Sequence, residues 1–475
     1  MAQLSADCLN EILEYLEDDM VNLHSCLLVN HLWCKISVRI FWRNVLNYKT
    51  SNFRTLIACL PNESKEILYN NEIIISTPTS NPPLFNYAAF CKFLSVHQII
   101  CKLELLLNNQ LLKSYNTSNN TLIVTQEIIK LFFNEISSLK KLFLWKYPKK
   151  INLYPIEKVC LKNLSELHCI SNFSSEFFYQ LSQKCHNLSS LDITVEQVIS
   201  EGLIDLISTQ KNLQSFGMTQ VNVLTDLTLL IEKLPITLIK LNIHYDNFIS
   251  LSFITRFINL QELQLFFYFE EDFVDFDKLQ YAIFPKLQIL KIQGACPRFE
   301  LLVKFLENNG KNLKECYIGD LEDYSDNSLN LTIAKFCPNL RKLSTGFKYN
   351  ELETMKLVFG GCQYLETIKI WCGGKFLNEK EALETVVKYS HENLYEIILY
   401  HFYYIQSKLL PEDLESFFIN WTNHVPQKSL SLVIVNYDAD SLDKNDKNME
   451  IINNYIELGV IKKFKVTDFN DDEFS

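Results

Sequence analysis

A seven-residue pattern recurs along this chain at a near-constant interval, and it limits the possible folds more than any other feature. It reads NLSELHC at 163–169, NLSSLDI at 187–193, NLQSFGM at 212–218, TLIKLNI at 237–243 and NLQELQL at 259–265. It continues as KLQILKI at 286–292, NLKECYI at 312–318, NLRKLST at 339–345 and YLETIKI at 364–370. The first apolar position is leucine every time: Leu164, Leu188, Leu213, Leu238, Leu260, Leu287, Leu313, Leu340 and Leu365, in steps of 22 to 27 residues. Weaker copies lie upstream (IICKLEL at 99–105, SLKKLFL at 138–144) and downstream (NLYEIIL at 393–399, SLSLVIV at 429–435). Each copy ends in apolar–polar alternation, which predicts a short strand with one apolar face. The intervening segments carry apolar residues three and four apart, as Phe299, Leu302, Val303 and Leu306 do before Gly310, a glycine placed to end a helix. The asparagine opening most copies tolerates the turn between helix and strand. A strand–turn–helix unit of this length cannot bury its own apolar face, whereas a stack of them buries a continuous core.

Composition supports such an array. The chain has 475 residues, too many for one compact domain, and 48% of them are hydrophobic, which excludes a disordered chain. Only 11 residues are glycine, which argues against a glycine-rich phosphate-binding architecture. The net charge of −11 argues against nucleic acid as a partner, because phosphate binding calls for a basic face. No stretch approaches the ~20 consecutive apolar residues that span a bilayer. The opening segment MAQLSADCLNEILEYLEDD is acidic and amphipathic, unlike a secretory signal, so a cytoplasmic or nuclear protein is expected. The 14 cysteines include no C-x-x-C pair and no zinc-like spacing, and are expected to be reduced thiols acting as small hydrophobes.

The repeat resembles the leucine-rich repeat family in its cysteine-containing form. Cys185, Cys337 and Cys362 each stand three residues before a repeat leucine, as in CHNL, CPNL and CQYL. The resemblance implies an α/β solenoid, with a curved parallel sheet on the concave side and helices on the convex side.

Residues 4–42 do not follow the repeat. Leu9, Ile12, Leu13 and Leu16 form a helical stripe with Ser5 placed to cap it. A second apolar stretch carries Leu23, Leu27 and Leu28, and a third holds Trp33, Ile36, Ile40, Phe41 and Trp42. So small a helical unit cannot cover this much apolar surface alone, so it either docks on a partner or caps the array. Its sequence resembles the F-box at Leu4, Leu9, Ile12, Leu16, Leu23, Leu27, Val29, Trp33 and Trp42, with Ser5 where the family usually has proline. The overall style is similar to the expanded F-box families of fungi. The resemblance implies a helical module that docks on a Skp-type adaptor, and through it on a cullin scaffold, with Leu4, Leu9, Ile12, Leu16, Leu27, Val29 and Trp33 carried over as the adaptor contacts.

The chain is thus divided into an F-box at 1–46, a connector and solenoid cap at 47–98, repeats at 99–437, and a closing cap with an acidic tail at 438–475. Within the connector, TLIACL (55–60) and FNYAAFCKFLSVHQII (85–100) are expected to be helical and EIIIS (72–76) to form a strand. KSYNTSNNT (113–121) and DADSLDKNDKN (438–448) are expected to be polar loops, and VIKKFKV (460–466) a last strand.

No nucleotide, hydrolase, metalloprotease or dinucleotide motif occurs, and no cofactor, metal or catalytic residue is expected. His168 and His244 fall at strand positions without a matching cysteine or carboxylate set. Gly360-Gly361 and Gly373-Gly374 are read as tight turns beside the strand at 365–370. The residues alternating with the inward leucines face outward, and large aromatics there are candidates for binding a protein target. Trp145, Phe266, Tyr317, Trp371 and Tyr400 are the candidates, with Trp371 and Tyr400 side by side on adjacent strands. The resemblances together imply a non-catalytic substrate receptor of a Skp–cullin–F-box ubiquitin ligase; the alternative is an interaction scaffold outside any ligase.

Overall fold

A computed structural model describes residues 4–78, 83–108, 117–145, 161–196, 199–221, 226–245, 249–319, 325–401, 406–424, 429–436 and 441–468. Among the described residues the fold is α/β, with fourteen parallel strands that follow chain order. Two compact units divide the chain: Met1–Gln214 with Thr225–Pro235, and Ser215–Leu224 with Ile236–Ser475. The first unit holds β1 (Phe93–Ser95), β2 (Lys141–Phe143), β3 (Glu166–Ile170) and β4 (Ser190–Val195). The second holds β5 (Ser215–Gln220), β6 (Lys240–Tyr245), β7 (Glu262–Phe267), β8 (Ile289–Gly294) and β9 (Glu315–Ile318). It continues with β10 (Lys342–Gly346), β11 (Thr367–Cys372), β12 (Glu396–His401), β13 (Leu430–Asn436) and β14 (Ile461–Asp468).

The repeat leucines sit where the pattern predicts. All nine are buried, from Leu164 to Leu365. The second apolar position is also aligned: Leu142, Leu167 and Leu191 pair across β2–β4, and Leu241, Leu263, Leu290 and Cys316 across β6–β9. Each fully buried leucine contributes roughly 1.5–3 kcal/mol, so the column rather than any one residue holds the stack.

Five of the helices in the repeats and the closing cap start on polar caps. Ser174, Ser200, Asp326, Asn378 and Asn445 each accept a backbone N–H from the first turn of their helix. The shortest repeat step, Leu238 to Leu260, has room only for a 3-10 segment, Leu251–Arg256. The longer step from Leu287 to Leu313 accommodates the helix Phe299–Asn309. Gly310 ends that helix as expected, but in a right-handed conformation. Its missing side chain is needed for close approach, since a Cβ would lie 2.6 Å from Cys337 Sγ.

Polar side chains at several helix ends tie a repeat to the one before. Asn309 is buried; its Oδ1 accepts from Phe284 N at 2.7 Å, and its Nδ2 donates to Ala282 O at 2.9 Å and to Phe305 O at 3.0 Å. Gln210 does the same work in the first unit, accepting from Leu188 N and donating to Cys185 O. Cys185 and Cys362 occupy the equivalent place as weak donors to Leu164 O and Cys337 O. The motif asparagines add a further tie: Asn312 donates to Pro285 O at 2.8 Å and Asn339 to Lys311 O at 2.8 Å.

At the N-terminus, α1 (Ala6–Glu14), α2 (Met20–Cys26) and α3 (His31–Phe41) are capped by Ser5, Asp19 and Asn30. They share a small core of Leu9, Leu13, Leu23, Ile36 and Ile40. Trp42 is buried rather than presented to a partner, with ring centroids 5.0 Å from Tyr48 and 4.5 Å from Tyr87 in the connector.

Five local expectations are corrected. IICKLEL is not a strand: Ile99, Ile100, Leu103, Leu106 and Leu107 share the buried face of a helix, Val96–Asn108. The strand lies just before it, at β1, inside a segment expected to be helical, because Phe93–Ser95 pairs with Lys141–Phe143. EIIIS forms no strand; Ile73 is buried and Ile74 is exposed after a left-handed Glu72. Residues 55–58 of TLIACL end the helix Thr50–Ala58, and VIKKFKV from Ile461 onward gives β14. Residues 117–121 of the first expected loop are helical, in Thr117–Glu135, and the second holds the 3-10 segment Leu442–Lys444 and the start of the helix Asp446–Glu457, whereas 113–116, 438–440 and the tail 469–475 lie outside the described residues. Among the described residues no helix is long and apolar enough to cross a membrane.

The backbone groups completed by Asn309 give a test. Asn309→Ala leaves Phe284 N–H and Ala282 C=O unpaired and should cost ~2–4 kcal/mol in chemical denaturation. Asn312→Ala, at an exposed turn, should cost under about 1 kcal/mol. Equal losses would contradict the assignment.

Candidate functional site

The residues that can meet a partner are set by which faces the helices and strands leave uncovered. Along α1 and its flanking residues, Leu4, Cys8, Ile12 and Tyr15 recur at three- and four-residue spacing and are exposed, Ile12 by 49% and Tyr15 by 90%. Val29 and Leu28, in the turn between α2 and α3, are also exposed. Of the expected adaptor contacts, Leu4, Ile12 and Val29 are therefore at the surface, and Leu16, Leu27 and Trp33 are half-buried. Leu9 is corrected: it is 1% exposed, because Leu9 and Leu13 form the arc of α1 that faces Leu23, Ile36 and Ile40. Tyr15, Val21 and Leu28 were not anticipated; Tyr15 shares the 4–8–12 spacing.

An arginine fixes the end of this surface. Arg43 Nη1 and Nη2 donate to the two Glu14 carboxylate oxygens at 2.5 and 2.7 Å, and Nη1 reaches Glu17 at 3.1 Å. This fork holds the end of α1 against the chain that leaves α3. The hydrogen bond from Arg43 keeps the Glu14 carboxyl below its usual range.

In the first unit the strand face is a polar and aromatic network. His168 lies between Glu166 (Nε2–Oε1, 2.9 Å) and Asp192 (Nδ1–Oδ2, 3.3 Å), and stacks on Phe143 with ring centroids 4.3 Å apart. Lys141 pairs with Glu166 at 2.6 Å. The expectation that His168 lacks a carboxylate set is thus corrected. Glu166 stands two residues earlier on the same face, and Asp192 is its register neighbour on β4. Burial raises the Asp192 carboxyl despite the nearby His168. Trp145 is 40% exposed, its ring 4.6 Å from that of His97.

In the second unit Phe266 is half-buried, 4.2 Å from the His244 ring and 5.2 Å from the exposed Tyr268. The other expected contact aromatics are not at the surface. Tyr317 is buried, with Lys291 Nζ 5.1 Å from its ring centre. Trp371 and Tyr400 are register neighbours as expected, but only 0% and 3% exposed. Two features account for this. Gly346, the register neighbour of Trp371 on β10, leaves room for the indole: a Cβ there would lie 2.4 Å from it. Gly373 and Gly374 turn through positive φ and lead to Phe376, whose ring meets Trp371 edge-on at 5.3 Å. Ile398, Val433 and Val435 complete this apolar cluster. The Gly373-Gly374 turn is as expected, whereas Gly360-Gly361 ends a helix, with Gly361 packed against Ala334 O.

Behind this cluster His401 Nε2 contacts Glu379 Oε1 at 3.1 Å, both side chains being buried. Burial alone would raise the Glu379 carboxyl, but the hydrogen bonds from His401 and Ser407 and the charge of His401 outweigh it and hold it below 4.5. The described cysteines are unbonded thiols, eight of them buried. Burial pushes Cys185 and Cys362 up to about 12, which disfavours thiolate chemistry there. Among the described residues, no group of three or more His, Cys, Asp or Glu is arranged to hold a metal ion. No protein-family model matches this chain, and no curated protein matches it.

Two outcomes follow from the buried layer. Trp371→Ala should destabilise the second unit by ~3–5 kcal/mol, the cost of emptying a large core site, measured by thermal and chemical unfolding; a change within about 0.5 kcal/mol would restore Trp371 to the surface. Glu379 has a depressed carboxyl, so its contribution is present above pH 4.5 and fades as pH falls through its lower folded value. The stability advantage of the wild type over Glu379→Gln should shrink between pH 5 and pH 3. An advantage that persists unchanged to pH 3 would refute the pairing.

Proposed function

We propose that this chain is a leucine-rich-repeat F-box protein, the non-catalytic receptor subunit of a Skp–cullin–F-box ubiquitin ligase acting in the cytoplasm or nucleus. In this reading the helical head docks on a Skp-type adaptor, and the strand faces of the repeats hold a protein target near the ligase enzyme. Such a receptor works by proximity and needs no reactive residue of its own. The observation that carries the reading is the head: it has a complete core of its own and still leaves Leu4, Ile12, Tyr15, Leu28 and Val29 in solvent. Exposed apolar residues on so small a unit are best accounted for by a partner. Leu16, Leu27 and Trp33 would supply the half-buried edge of that contact. On the repeats, Trp145 and Phe266 are the expected contact aromatics that remain accessible.

The test is capture of a purified Skp-type adaptor by the full chain. The double variant Ile12→Asp/Val29→Asp leaves the head core intact and should weaken capture at least tenfold, whereas Trp371→Ala should not change it. Undiminished capture by the double variant would defeat the docking surface, and undiminished capture after removal of residues 1–46 would defeat the F-box reading. If the adaptor binds but no cullin joins the complex, the chain is a scaffold outside the ligase.

A further inference from the structure

The turns that precede β8, β9 and β10 line an open groove of about 500 Å³ in the second unit. Its lining includes Lys286, Lys314 and Arg341 and no carboxylate, in a chain whose net charge is −11. The three cations come from successive repeats, so they step along the groove at about the 4.8 Å spacing of neighbouring strands. The backbone of these turns is already engaged: Lys314 N donates to Gln288 O, and Arg341 N to Lys314 O. What the groove offers a ligand is therefore side-chain donors, namely the three cations and the amides of Gln261 and Gln288, with the exposed ring of Tyr364 at one end.

Nearby acids do not cancel this charge. Arg341 uses one nitrogen on Glu366 at 2.9 Å, which leaves further donors on its planar fork. Lys286 donates to the neutral Asn259 side chain at 3.0 Å. Lys314 makes no ion pair among the described residues, and Glu262 and Glu315, the next residues along their strands, pair with Lys240 at 2.9 Å and Lys342 at 3.2 Å. From the turn before β7 to the turn before β11 the groove crosses five strands, about 19 Å. That is the reach of about six residues of extended chain.

We infer that this groove binds an acidic stretch of a target polypeptide in extended conformation, its anionic side chains meeting Lys286, Lys314 and Arg341 in turn. The inference rests on the receptor reading for the word target and deepens it by naming the target's chemistry. The anionic groups are carboxylates or phosphorylated hydroxyls, and the two are separable by experiment.

Fluorescence anisotropy with the full chain would use two labelled ten-residue peptides of about equal charge, one with five glutamates and one with three phosphoserines. The triple variant Lys286→Ser/Lys314→Ser/Arg341→Ser should weaken binding of the preferred peptide at least tenfold. Lys278→Ser/Lys304→Ser/Lys356→Ser, which removes the same charge elsewhere in the unit, should weaken it less than twofold. The preferred peptide identifies the source of the anionic groups. Equal effects of the two triple variants would reduce the site to bulk charge and overturn the inference. So would no effect of the groove variant, or tighter binding of a single-stranded oligonucleotide of equal charge than of either peptide. Adaptor capture should be the same for both triple variants. Loss of capture by the Ile12→Asp/Val29→Asp double variant, with peptide binding intact, would support the head and the groove as separate sites. Failure of adaptor binding by the wild type, with peptide binding intact, would fell the receptor reading and leave the groove standing.

Discussion

Stacking of a buried leucine from each repeat is the constraint on which the rest depends. The nine repeat leucines exclude water completely or nearly so, and the second apolar residue of each strand is held in register beside its neighbours. Within each unit, parallel pairing in matched register lets neighbouring repeats present the same face. The period-two alternation then decides everything else: what is not under the sheet is on it, and only those positions and the turns are free to differ in chemistry. The variation between repeats is concentrated accordingly. One strand face carries a histidine between two carboxylates, another carries tilted aromatic rings, and a run of turns carries lysine and arginine.

The array was legible because its signal is redundant. Leu164 to Leu365 repeat at a spacing that any single substitution leaves readable, and serine, aspartate or asparagine caps mark where helices begin. Some elements without that redundancy were not legible. Phe93–Ser95 is three residues long and becomes a strand only because Lys141–Phe143 lies ready to pair with it. IICKLEL contains the leucine spacing of the motif but also a four-residue periodicity, and the longer helical face won.

The surfaces were harder to read than the fold, for a physical reason. Whether Trp371 is exposed depends on a glycine in the preceding repeat and a phenylalanine beyond a turn, neither of which marks itself in the local pattern. Trp145 is exposed and Phe266 half-buried, and nothing in the local pattern sets them apart from Trp371. The same holds in the head, where alternation along α1 shows an apolar stripe but not which of its edges is buried; the clamp of Arg43 on Glu14 and Glu17 joins residues far apart in sequence. The His168 network, by contrast, was within reach of register reasoning, since Glu166 and Asp192 follow from the period and the repeat step.

The helix-end ties all point backwards. Asn309, Gln210, Cys185 and Cys362 each complete the turn of the preceding repeat, and Asn312 and Asn339 do so from the motif itself. A repeat is therefore finished only when its successor is in place. During synthesis, each newly added unit seals the one made just before it, and the growing end is always the incomplete one. Shortening such a chain has a direction: cutting repeats from the front frees side chains that can turn to water, whereas cutting from the back strips buried backbone of its partners. Whole repeats are the natural increments by which a chain of this kind can gain or lose length.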